Sequence, residues 1–137
     1  MPITKGFRQL VDEAMLEVTT YSVAEVQARL GQPDVLIVDI RDVRELAGGT
    51  VTGAFHAPRG MLEFWVDPGS PYFKKIFADE SKEYILFCGA GWRSALACKT
   101  LQDMGMTNVA HIDGGWADWV KAGAPTETLE QRLERKK

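Results

Sequence analysis

Cysteine and histidine are scarce in this chain: two of each in 137 residues. Two cysteines make no disulfide framework, and His56 and His111 lack the close Cys or His neighbours of a zinc site. The expectation is a reducing compartment and a site with no metal and no other cofactor. Positive charge is also in short supply. Sixteen Lys and Arg stand against nineteen Asp and Glu, a formal net charge of −3, which argues against nucleic acid or an anionic membrane as the main partner. No apolar run reaches the roughly 20 residues that span a bilayer. Residues 1–6 lack the apolar core of a secretion signal, so the cytoplasm is the expected location. No internal repeat and no linker-like stretch divides the chain.

What is present has the balance of an ordinary globular domain, 45% apolar and 26% charged. Val35–Asp39, Tyr84–Phe87 and Val109–Ile112 are apolar runs of strand length, as expected of strands buried on both faces. Ala54–Ala57 is a further short strand, closed by Pro58. Helical patterns separate them. Phe7, Leu10, Val11, Ala14, Met15 and Val18 recur at helical spacing over 6–18. A second helix opens at Tyr21-Ser22-Val23, with Ser22 and Glu25 as a capping box, and stops at Gly31. Further helical segments are expected over Val43–Ala47, Tyr72–Phe77, Ser94–Met104 and Trp116–Val120. Such alternation predicts an α/β fold, a mostly parallel central sheet with helices on both faces. Residues 1–19 are expected to be an N-terminal amphipathic helical extension, 20–125 the domain proper, and 126–137 a charged tail, a frayed helix at most.

One segment carries chemistry. Cys88-Gly89-Ala90-Gly91-Trp92-Arg93-Ser94 joins the Tyr84–Phe87 strand to the following helix. A glycine-bearing loop can turn its backbone N–H groups inward, and a helix N-terminus adds partial positive charge. Both favour an anion, and the nearest is the Cys88 thiolate, which makes this residue the expected nucleophile. Arg93 keeps its charge at any working pH; it can act on the sulfur, bind an anionic donor, or brace the loop through carboxylates. Gly89 and Gly91 supply backbone freedom, with Ala90 between them, and Trp92 is expected to wall the pocket. Ser94 is expected to cap the helix, with a bond to the sulfur as a secondary role. Cys98 lies on the apolar stripe Ala97, Cys98, Leu101 and Met104 and is expected in the core. His56 is expected to be a packed histidine. Asp39, Arg41 and Glu45 are expected to form a structural ion-pair set, with Arg41 and Glu45 spaced as a helical pair.

From about Thr20 to Pro125 the sequence resembles a single rhodanese domain. The resemblance rests on Asp39-Ile40-Arg41 with Glu45, Gly53-Ala54 with Pro58, the Cys88 loop, and Gly114-Gly115-Trp116 with Trp119 and Gly123-Ala124-Pro125, in that order. Thr50-Val51 stands where the family often has His-Ile. Four residues separate Cys88 from Arg93, a ring of six. Rhodaneses with such a ring carry sulfur as a cysteine persulfide, whereas tyrosine phosphatases and related cell-cycle phosphatases have one residue more and cradle phosphate. The loop does not match the C-G-S/T-G-V-T pattern of mercaptopyruvate sulfurtransferases. The resemblance implies a sulfurtransferase that moves sulfane sulfur from a donor such as thiosulfate to a thiol or cyanide through a Cys88 persulfide. It also makes Arg59 and Asp39 candidates for the pocket. The alternatives are a relay module that hands sulfur to a protein partner, and a cysteine-dependent phosphatase or arsenate reductase. Expected partners are thus a small-molecule donor and acceptor, with a protein sulfur acceptor or a second copy of the chain as further candidates.

Overall fold

Successive side chains of a strand point to opposite faces, so a strand apolar at every position must be covered twice. Tyr84 and Leu86 enter one core cluster, while Ile85 and Phe87 enter another across the sheet. In the computed structural model, which describes residues 1–136, the strands are β1 (Thr19–Tyr21), β2 (Val35–Asp39), β3 (Thr50–Val51), β4 (Phe55–His56), β5 (Glu83–Phe87), β6 (Val109–Ile112) and β7 (Thr126–Glu127). Five of them form one sheet in the order β1-β6-β5-β2-β4, with every pairing parallel. The helices are α1 (Phe7–Met15), α2 (Val23–Ala28), α3 (Leu62–Val66), α4 (Trp92–Asp103), α5 (Gly115–Lys121) and α6 (Leu129–Arg135). Leu62 and Val66 of α3, with Ala97, Cys98 and Leu101 of α4, cover one face. Val26 of α2 and Trp119 of α5 cover the other. The mostly parallel α/β sheet expected from the alternation is the observed architecture.

Several local expectations shift. The first helix is shorter than 6–18, and β1 follows where Tyr21 was expected to open a helix. Three residues are too few to display a period; this strand exists because Thr19–Tyr21 pairs with Ala110–Ile112 at the sheet edge. The Ser22–Glu25 capping box is present and starts α2. Residues 72–77 hold only a 3₁₀ turn at Lys75–Ala78, because Phe77 is anchored against the rings of Phe55 and Tyr84, and tertiary packing overrides helical propensity there. Residues 126–135 are no frayed tail. β7 pairs antiparallel with β3, Thr128 and Gln131 form a capping box that opens α6, and Arg135 binds Glu127 and the Ala54 carbonyl. The last residue of the expected tail, Lys137, lies outside the described residues.

At the carboxyl end of β2 the chain buries an ion pair. The Arg41 guanidinium donates to the Asp39 carboxylate (Nη2–Oδ2 2.8 Å) and to the Gly49 carbonyl, and Thr50 Oγ1 donates to Asp39 Oδ2 at 2.8 Å. Thr50 thus supplies a hydroxyl donor where the family often has histidine. The guanidinium also lies over the rings of Trp116 (4.7 Å) and Phe87 (5.6 Å). Arg41 therefore pairs with Asp39 and not with Glu45. The helical turn begins only at Val43, so Arg41 lies outside it and the helical i,i+4 geometry does not apply. Removing one member of a buried pair leaves the other charge uncompensated. Arg41→Ala is expected to lower unfolding stability by about 3–5 kcal/mol in urea titrations; a loss under about 1 kcal/mol, the range of exposed pairs, would contradict this role.

Candidate active site

Cys88 is the first residue after β5, the central strand, and so emerges at the carboxyl edge of the sheet, where open α/β sheets bind ligands. Its side chain is buried. The loop turns at Gly91, whose φ of +96° suits glycine and which forms the N-cap of α4. The amides of Gly91 and Ser94 donate to Cys88 Sγ at 3.2 and 3.3 Å. Four further loop amides, those of Gly89, Ala90, Trp92 and Arg93, have no protein acceptor among the described residues.

Their orientation has a cause outside the loop. Trp116 N–H donates to the Cys88 carbonyl at 2.7 Å and Ala117 N–H to the Gly89 carbonyl at 3.0 Å. In a trans peptide the C=O of one residue and the N–H of the next point in opposite directions. Holding these two carbonyls on the start of α5 therefore turns the Gly89 and Ala90 amides the other way. The approach is so close that a Cβ on Gly115 would lie 2.4 Å from the Cys88 carbonyl oxygen. The Gly114-Gly115-Trp116 motif, which in the sequence only carries the family resemblance, is the seat of the loop.

Arg93 braces that seat from α4. Its guanidinium makes a two-point ion pair with Glu45 (2.7 and 3.0 Å) and passes over Gly89, where an added Cβ would meet Nη2 at 3.0 Å. The hydrogen bond from Arg93 holds the Glu45 carboxyl below its ordinary range. Trp92 is exposed and packs at a tilt against Phe7 of α1, ring centres 5.0 Å apart, with the Arg8 guanidinium of the same helix over its ring. Val11 and Ala14 anchor α1 against Ala95, which ties the N-terminal helix to the loop.

Two expected roles change. Ser94 does not cap α4, because Gly91 holds that position; its hydroxyl lies 3.6 Å from Cys88 Sγ and 2.9 Å from His111 Nδ1. Asp39 does not line the pocket, since its carboxylate is buried and engaged by Arg41 and Thr50. Arg59 follows Pro58 at the same edge, its amide bonded to the Ile40 carbonyl. The residue is half-buried and has no ion-pair partner among the described residues. Cys98 is buried on α4, and burial pushes its thiol up to about 12. His56 is packed, with Nε2 2.7 Å from the Arg41 carbonyl.

His111 escaped the sequence reading because one histidine in a strand carries no motif. Burial pushes its imidazole down to about 4. The unfolded chain takes up this proton near the ordinary value of 6.5 and the folded chain only near 4. Its contribution to stability is therefore complete above pH 6.5 and lost as the pH falls toward 4. Chemical denaturation at pH 7 and pH 4 is expected to show about 3 kcal/mol more acid loss in the wild type than in His111→Phe; equal losses would contradict it. Gly115→Ala, which forces its Cβ into the Cys88 carbonyl, is expected to lower stability by about 1–3 kcal/mol and to slow iodoacetamide alkylation of Cys88. Unchanged alkylation would show that the α5 contact does not shape the loop.

Comparison with known proteins agrees with this geometry. An uncharacterized Synechocystis protein is 30% identical over 69% of this chain, and the match spans only 48% of that relative. An Allochromatium vinosum protein named sulfurtransferase is 28% identical over 67% of this chain and 78% of its own length. Among solved structures, a Rhodopseudomonas palustris protein of unknown function, described as a possible tyrosine phosphatase, superposes with a TM-score of 0.88. It is 48% identical and covers 93% of this chain and 98% of its own. Residues 22–122 match the model of the rhodanese-like domain. That match takes in the whole Cys88 loop and every strand of the central sheet except β1, and the chain belongs to the rhodanese-like domain family.

Proposed function

We propose that this protein is a sulfurtransferase that carries sulfane sulfur on Cys88. The observation that carries the reading is the ring of loop amides around a buried sulfur, two bound to Sγ and four without a protein acceptor. In the first half-reaction the Cys88 thiolate attacks the sulfane sulfur of a donor such as thiosulfate. The donor S–S bond breaks, sulfite leaves with the bonding pair, and Cys88–S–S⁻ remains. In the second, an acceptor thiolate or cyanide attacks the outer sulfur and Cys88 leaves as thiolate. The negative charge moves outward by one atom in the persulfide, to where the unpaired amides of Gly89, Ala90, Trp92 and Arg93 can receive it. Charge-assisted bonds of this kind contribute about 1.5–3 kcal/mol each.

Arg93 and Arg59 supply positive charge for an anionic donor, and Trp92 walls the approach. No helix among the described residues is long and apolar enough to cross a membrane. A free nucleophilic thiol suits a reducing, cytoplasmic setting. The acceptor is a small thiol, cyanide as an assay reagent, or a protein thiol.

The description of the Rhodopseudomonas neighbour as a possible tyrosine phosphatase favours a second reading, phosphoryl transfer through Cys88. The ring of six argues against it, being one residue shorter than the loop with which such phosphatases cradle phosphate. Sulfur transfer from thiosulfate and from glutathione persulfide to a thiol is expected in the wild type. It should fall to the uncatalysed rate in Cys88→Ser, with no hydrolysis of p-nitrophenyl phosphate. Transfer that survives Cys88→Ser, or phosphate release that Cys88→Ser abolishes, would overturn the proposal.

A further inference from the structure

Behind Cys88 a line of polar groups runs through the apolar core. Cys88 Sγ lies 3.6 Å from Ser94 Oγ, Ser94 Oγ 2.9 Å from His111 Nδ1, and His111 Nε2 3.0 Å from Thr20 Oγ1. Thr20 Oγ1 in turn lies 3.9 Å from Met15 Sδ. Ser94 and His111 are buried, and Thr20, on the edge strand, is half-exposed. A buried histidine has a cost unless both ring nitrogens are satisfied, and packing alone would be served by an apolar residue. Sulfur transfer as written above makes no use of His111.

Both neighbours of the ring are hydroxyls, which donate and accept alike. With the Gly91 carbonyl, 3.3 Å from Ser94 Oγ, as a competing acceptor, the line has two self-consistent directions. With Cys88 protonated, the thiol donates to Ser94 Oγ, Ser94 donates to His111 Nδ1, and His111 Nε2–H donates to Thr20. With Cys88 ionised, Ser94 donates to the sulfur, His111 Nδ1–H donates to Ser94, and Thr20 donates to Nε2. Each group passes on one proton and receives another. The difference between the two states is a single proton, taken from the Cys88 thiol and released to water at Thr20. The imidazole is neutral in both and changes only its tautomer, which suits a ring whose burial disfavours the charged form.

The geometry points to His111 and Thr20 as positioning residues that hold the Ser94 hydroxyl toward the ionised Cys88 sulfur as a third donor. This inference rests on the reading of Cys88 as the sulfur carrier. Charged groups lie near the line on three elements. Asp113, following β6, acts on the imidazole; Arg93 of α4, paired with Glu45, acts on Cys88; and Asp39, paired with Arg41, lies at the end of β2. The neighbours from β1 and α1, Thr20 and Met15, are uncharged.

The test keeps all those charges and needs no sulfur donor: the rate of Cys88 alkylation by iodoacetamide is followed against pH, with the modified peptide identified by mass. In His111→Phe and Thr20→Val the midpoint is expected to move to higher pH, with alkylation at pH 7 about tenfold slower. His111→Asn, whose amide N–H can replace Nδ1–H toward Ser94, is expected to recover most of the loss. Thr20→Val is nearly isosteric and sits outside the core, so it answers the question even where His111→Phe does not fold. Thr20→Val overlaying the wild type, or His111→Asn behaving no better than a folded His111→Phe, would overturn this positioning role. Sulfur uptake is judged by a separate readout, so a wild type that takes up no sulfur would overturn the proposed function without altering the alkylation comparison.

Discussion

The capture of the Cys88 and Gly89 carbonyls by the first amides of α5 is the constraint on which the site depends. A six-membered loop has few ways to close, and left alone its peptide planes would satisfy whichever groups lie near. Fixing two carbonyls outward fixes the next two amides inward, because each peptide is planar. That fixing requires the α5 backbone to come within van der Waals contact of Cys88, which only a residue without Cβ allows at Gly115. A motif more than twenty residues downstream therefore orients the peptide planes of the loop.

The same end of the sheet is stiffened by a buried ion pair, a part-exposed one and an aromatic contact. Arg41 clamps Asp39 and lies across Phe87 and Trp116, the residues that flank the Cys88–Gly115 contact in sequence. Arg93 and Glu45 tie α4 to the turn after β2, while Phe7 and Trp92 tie α1 to the loop. The Arg41–ring contacts, the Arg93–Glu45 pair and the Phe7–Trp92 contact join elements distant in sequence at the edge where the sulfur sits. Breaking any of them loosens the same small ring of amides, so stability and chemistry share their supports.

The sheet was legible in the sequence because its central strands are buried on both faces and read as unbroken apolar runs; β2 and β6 fall where those runs lie. The loop was legible because a cysteine, glycines and an arginine at short spacing between a strand and a helix have one simple physical use. What was hidden depends on partners distant in the chain. β1 and β7 are strands of two or three residues, defined by the strands they pair with. The choice of Asp39 over Glu45 by Arg41 turns on where a 3₁₀ turn begins, and the place of Ser94 turns on Gly91 taking the cap. His111 carries no local signal. It matters because parallel pairing in β5 and β6 sets it opposite Leu86, two residues before Cys88.

The central claim is that the ring of amides is built for one additional sulfur atom on Cys88. The most direct measurement is the intact mass of the reduced protein before and after exposure to thiosulfate and to glutathione persulfide, with Cys88→Ser alongside. The account predicts a gain of one sulfur atom on the wild type alone, removed by cyanide or a thiol. No gain with either donor, or an equal gain on Cys88→Ser, would contradict it.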